Sequence, residues 1–150
     1  MEYKPFLIQK LKNNSPVRDS REWGIWIKSI PFQLYPKLKD PAKRSWPELN
    51  GDEEYLPESP VFDAYTMEVN FVFIGERGTA NAQIRGFMNY LSRDGEFSIY
   101  DTYSAIGRTH VRYSSYSDKA FRRREGENDI VQFSVTLKVN DPITEIRLSK

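Results

Sequence analysis

The sequence contains no cysteine and a single histidine, His110. Without cysteine there are no disulfides, no thiolate metal sites and no thiol nucleophile, a composition compatible with a reducing cytoplasm. With one histidine, a zinc site has no second imidazole to draw on. His110 alternates with Arg108 and Arg112 and reads as a half-exposed strand residue rather than a ligand or base. An excess of charge of one sign is also missing. The 22 Lys and Arg face 21 Asp and Glu, a net charge of +1, so no overall field draws the chain to nucleic acid or an anionic membrane. No apolar run approaches a membrane span, and the opening MEYKPFLIQKLKNN lacks the apolar core of a signal peptide. The expectation is a cytosolic product with no membrane partner.

The motifs of common chemistries are absent as well. Gly75-Glu76-Arg77-Gly78-Thr79 lies where a phosphate loop would be, but it has neither GxGxxG nor GxxxxGK[ST], and Glu76 would repel a phosphate. No GxSxG elbow occurs, and a serine triad would have to recruit His110 from between two arginines. Asp52, Glu53 and Glu54 are contiguous, whereas a calcium loop places its ligands at alternate positions, so they read as a solvated acidic turn. These absences predict no enzyme activity, no cofactor and no metal.

What the chain does have is aromatic side chains, 14% of its residues, with 9 Tyr and 9 Phe, and a length of 150 residues that suits one domain spanning 1–150. Its organising stretch is Ala64 to Gly95. Tyr65, Met67, Val69, Phe71 and Phe73 alternate with polar positions, the period of a strand with one buried face. Beyond Gly78 the period changes. Ala80, Ile84, Phe87, Met88 and Leu91 form one apolar helical stripe, which predicts an amphipathic helix over about 79–92 with Thr79 as N-cap and Asp94-Gly95 as the stop.

Around this unit, the segment Met1 to Ser20, with its short apolar run Phe6 to Ile8, reads as an edge strand or an arm on a neighbour, and Glu22 to Ile30 as a short strand with a bulge at Gly24. Glu96–Tyr100 and Arg108–Tyr113 read as strands, Ser114–Lys119 as turn-like, and Ala120–Arg124 as a segment that pairs beyond it. Asp129–Asn140 alternates most cleanly of all and is a second long core strand. Between Pro31 and Pro60 six prolines break any lasting period, predicting a long ordered excursion with a small hairpin at the Asn50-Gly51 turn. The fold class expected is α+β, mainly β: an antiparallel sandwich or partly open barrel covered by one helix.

The candidate interaction residues are the aromatics Trp46 and Tyr55, the acidic Asp52, Glu53 and Glu54 beside them, and the basic Arg122, Arg123 and Arg124. Arginines near Tyr113 and Tyr116 can hold single-stranded nucleic acid, which keeps a small ligand- or nucleic-acid-binding barrel as an alternative. At near-zero net charge, pairing of the arginines with nearby acids or with an acidic face of another subunit is favoured.

Five segments, RSWPELNGDEEY, TMEVNFVFIG, AQIRGFMNYL, FSIYDT and VQFSVTLKVNDP, span Arg44 to Pro142, and their order resembles the N-terminal domain of the distal tail proteins of long-tailed bacteriophages. The resemblance implies a sandwich with one helix, copies of which close into a hexameric ring that joins tail tube to baseplate. It implies further that the lumen passes DNA as cargo, that the partners are other tail or baseplate proteins, and that the location is a virion tail assembled in host cytoplasm. The chain departs from that pattern in having no evident second, carbohydrate-binding-like domain after Pro142, which leaves a tail-tube or other ring component open.

Overall fold

The computed structural model describes residues 5–12, 15–123 and 128–149. The two long strands foreseen from their alternation form its centre: β6 (Tyr65–Gly75) and β9 (Asp129–Val139) pair antiparallel along their whole length, from Tyr65 opposite Val139 to Gly75 opposite Asp129. Their inward side chains, Val69, Phe71, Phe73, Phe133, Val135 and Leu137, are buried.

Flanking strands extend this pair into one antiparallel sheet. With β1 (Phe6–Lys10), β2 (Arg18–Asp19), β3 (Ile25–Ser29), β7 (Phe97–Asp101) and β8 (Ile106–Arg123), the order is β2-β1-β7-β8-β9-β6-β3. The end strands β2 and β3 are not paired with each other, so the sheet is open. The chain is thus mainly β with a single helix among the described residues, the class its periodicity indicates. Because β6, β9, β8 and β7 are antiparallel neighbours in turn, β6 and β7 run in opposite directions, and the intervening helix does not make a parallel crossover.

That helix, α1 (Ala80–Ser92), lays Ala80, Ile84, Phe87 and Leu91 on the sheet. Phe87 is fully buried, its ring centroid 5.3 Å from both Phe71 and Trp23, 6.0 Å from Phe6 and 6.4 Å from Phe133. Each such side chain contributes about 1.5–3 kcal/mol by leaving water, with aromatic edge contacts adding to this.

Four local expectations need correction. Within Met1–Ser20 the edge strand is β2 and not the apolar run, for β1 pairs with both β2 and β7, and Phe6, Leu7 and Ile8 are buried. Gly24 is not a strand bulge. It ends the 3-10 turn Ser20–Trp23 in the left-handed conformation (φ 67°), and a Cβ there would lie 3.0 Å from the Ile74 carbonyl oxygen. Thr79 sits at the N-cap position, but its hydroxyl donates to the Glu76 carbonyl oxygen (2.6 Å) instead of accepting from the first turn. Ser114–Lys119 is not a turn. β8 runs through it, absorbing polar residues by two register shifts, between Tyr113 and Ser115 and between Asp118 and Ala120.

Candidate interaction surface

The proline-rich excursion leaves the sheet between β3 and β6 as a two-lane ribbon, which we call the arm. Its lanes are joined by backbone bonds from the Asp63 amide to the Lys37 carbonyl (2.8 Å), from Lys39 to Val61 (3.0 Å) and from Tyr55 to Ala42 (2.8 Å). Farther out, β4 (Lys43–Ser45) and β5 (Asp52–Glu54) form the small hairpin that Asn50-Gly51 foretold, with Gly51 at φ 75° in its turn.

Almost nothing on this ribbon is covered. From 33 to 61 only Pro36 is buried, and Leu34, Tyr35, Leu38, Trp46, Leu49 and Tyr55 are exposed, Tyr35 at 77% and Tyr55 at 71%. Scattered apolar residues on a surface are ordinary; here they collect on one ribbon. Trp46 follows β4 on the tip side and Tyr55 follows β5 on the root side, so the ladder separates them. The acidic run faces its own strand partner: Glu54 lies opposite Lys43 and Glu53 opposite Arg44, and Asp52 pairs with the Lys43 ammonium at 3.7 Å.

The arm's root is held by a buried cation. Arg108 is 3% exposed, donates to the Gly107 and Gln33 carbonyl oxygens (both 2.8 Å) and lies over the Phe32 ring, while its Nε has no partner among the described residues. The Tyr65 hydroxyl accepts from the Gln33 amide (3.3 Å). One turn of chain is therefore fixed from two strands. In the sequence Arg108 reads only as an alternating neighbour of His110, and the stretch Gly107-Arg108 carries no signal of burial.

Of the proposed basic cluster, Arg122 and Arg123 occupy the last positions of β8, opposite Ile130 and Asp129. Their side chains, and Arg124 altogether, lie outside the described residues. Their strand positions adjoin the Gly75 end of β6, whereas the arm departs from its Tyr65 end.

Along the sheet, from the level of Met67 to that of Phe73, runs a groove that the turn-like reading of Ser114–Lys119 concealed. It has a volume of about 520 Å³ and lies between α1 and β8, with Ile84, Met88, Tyr113, Tyr116 and Val131 as walls and Asn81 and Arg85 on the helix side. The Tyr116 hydroxyl donates to the Asp118 carboxylate; burial first, then that carboxylate, pushes the Tyr116 pKa up. Met88 was the available signal, being the one apolar position of the helical stripe that the sheet leaves only partly covered.

The remaining polar features serve the scaffold. His110 takes a positive φ (53°) in a bulge where Thr109 and His110 together face Ser98. Its Nδ1 lies 3.2 Å from Glu96 Oε1, the Asn140 side-chain amide donates to Glu96 Oε2 (2.9 Å), and the Asn140 backbone amide donates to the His110 carbonyl oxygen (3.0 Å). The Asn140 bond, then the His110 bond and charge, holds the Glu96 carboxyl below its usual pKa against a smaller opposing effect of burial. In the Gly75–Thr79 connection the Gly78 amide donates to Asp129 (2.9 Å), so an amide that a phosphate would need is already engaged. Lys10, buried, donates to the Leu91 and Gly95 carbonyl oxygens (each 3.2 Å) at the end of α1, where a cation suits the helix dipole. Burial lowers its pKa, and Asp94 partly offsets this.

No protein-family model matches the chain, and no curated protein sequence matches it. Among solved structures, the crystal structure of SPP1 Dit (gp 19.1), described as a paradigm of the hub adsorption apparatus in phages that infect Gram-positive bacteria, is similar in fold, with a TM-score of 0.62 and 14% sequence identity. The match covers 91% of this chain and 50% of that one, so the chain corresponds to about half the length of the protein it resembles.

Proposed function

We propose that this chain is a non-enzymatic structural component of a phage or prophage tail, a distal-tail or tail-tube-like ring subunit that acts by self-assembly. The observation that carries the reading is the shared fold with SPP1 Dit over nearly the whole chain. The arm supports it independently, because an exposed ribbon bearing Trp46, Leu49 and Tyr55 is costly in water and cheap in an interface. In this reading the ring is a hexamer, its lumen passes DNA without binding it specifically, and its neighbours are other tail or baseplate proteins. It resides in the virion tail after assembly in the host cytoplasm.

Copies related by a ring rotation meet through two different faces, and each must offer both. The acidic hairpin with Trp46 and Tyr55 is one such face. The β8 end that carries Arg122 and Arg123 belongs to the other, with Arg124 following in the chain. Sedimentation velocity over rising protein concentration tests the proposal. The expected result is a defined multimer in place of a continuous series of aggregates. A strict monomer at the highest soluble concentration, together with salt-dependent binding of single-stranded DNA that is lost when Arg122, Arg123 and Arg124 are changed to alanine, would replace it with the nucleic-acid-binding alternative.

A further inference from the structure

We propose that the cavity beside the arm root binds a compact, multiply charged oxyanion of the inorganic phosphate class, a property independent of ring formation. The cavity measures about 290 Å³ and lies between Leu34 of the arm, Gly107 and Arg108 of β8, and Glu145, Ile146 and Arg147 of the segment after β9. Gly107 lets that segment come close, since a Cβ at this position would fall 2.5 Å from the Ile146 carbonyl oxygen. At about 30 Å³ per water, there is room for such an ion with several waters around it.

Arg108 is what points to an anion. It is almost fully buried, yet among the described residues no carboxylate pairs with it: its two terminal nitrogens donate to the Gly107 and Gln33 carbonyl oxygens, and its Nε donates to none. A cation withdrawn from water is ordinarily matched by a negative charge, and carbonyl dipoles with the Phe32 ring supply none. Arg147, exposed, brings a second guanidinium to the same cavity, and paired N–H groups of this kind are suited to phosphate oxygens. Glu145 is the single acid among the described lining residues and forms no ion pair with either arginine, so two positive charges face one negative. The other acid of the hairpin, Asp101, is committed to the Tyr103 and Ser104 amides.

Because Arg108 also holds the arm root, the decisive substitutions are at the exposed Arg147 and Glu145. The full chain is titrated with sodium phosphate, and with sodium chloride at matched ionic strength, and read by calorimetry and by unfolding temperature. The expected result is saturable binding, with the unfolding temperature raised by roughly 5–10 °C at phosphate about 100-fold above its dissociation constant. Arg147→Gln should weaken binding about tenfold and leave the unfolding temperature in chloride unchanged, whereas Glu145→Gln, which removes a like charge, should tighten binding. Absence of binding would overturn the site. Phosphate that stabilises wild type and Arg147→Gln alike would overturn it as well, since it would then act as a general salt. Acetate bound as tightly as phosphate would overturn the multiply charged ligand. A Glu145→Gln protein that is less stable in chloride would identify that carboxylate as the counter-ion of Arg108 and exclude the bound anion.

Discussion

Phe87 is the position where sequence pattern and packing make the sharpest quantitative demand. Truncating it to alanine removes a fully buried ring that touches Trp23, Phe71, Phe6 and Phe133, on a helix that otherwise buries Ala80, Ile84 and Leu91 and half-covers Met88 and Tyr90. Phe→Ala in a core costs about 3–5 kcal/mol, and the four ring contacts put this site near the upper end. Against a total stability on the order of 5–15 kcal/mol the variant should still fold, with the unfolding temperature lowered by roughly 10–18 °C at about 2–4 °C per kcal/mol for a chain this size. In urea the midpoint should fall while the m-value stays constant, because the surface exposed on unfolding hardly changes. Phe87→Asp instead buries an unpaired carboxylate and should not fold. Leu56→Ser, on the exposed arm, should change stability by no more than about 0.5 kcal/mol. A loss under about 1 kcal/mol for Phe87→Ala, or a soluble folded Phe87→Asp protein, would mean that α1 does not lie on the sheet as described.

Arg108→Met should speed amide exchange in the arm root around 32–36 while leaving β6 and β9 protected, since it removes the bond to the Gln33 carbonyl; uniform exchange changes across the sheet would count against the clamp. Gly107→Ala should destabilise, because its Cβ would fall 2.5 Å from the Ile146 carbonyl oxygen and 2.9 Å from the Tyr100 ring, and deleting the residues after Asn140 should remove the part owed to Ile146; an unaffected Gly107→Ala protein would show that the tail does not pack there. Glu96 has a depressed folded pKa, so its stabilising contribution is complete above the ordinary carboxylate range and is lost as pH falls through the folded value. Wild type should therefore lose more stability than Glu96→Gln between neutral pH and pH values below that range, and equal losses would remove the His110–Glu96–Asn140 network from the account.

The parts of the fold that were legible in the sequence are those where one physical demand dominates. β6 and β9 bury one face each and so alternate strictly, and α1 buries one stripe and so repeats at helical spacing. The Asn50-Gly51 hairpin follows from backbone conformation alone. What escaped notice was set by neighbours. β1 has too few residues for its period to reveal that it is sandwiched between β2 and β7. Ser114–Lys119 is polar because β8 there skirts an open groove, and polarity without a partner in view looks like a turn. Arg108 is buried by an arm that begins 75 residues earlier, which no local pattern records. Of the candidate surface, Trp46 and Asp52–Tyr55 do lie on an exposed ribbon, whereas the groove between α1 and β8 takes shape only where those two elements meet.

The central claim is that copies of this chain build a ring, and electron microscopy of the purified full chain at high concentration addresses it most directly. The account predicts closed particles with rotational symmetry and an open lumen, in which the ribbon of each copy is covered by its neighbour. Featureless monomers, or symmetric rings whose arms project free into solvent, would contradict it.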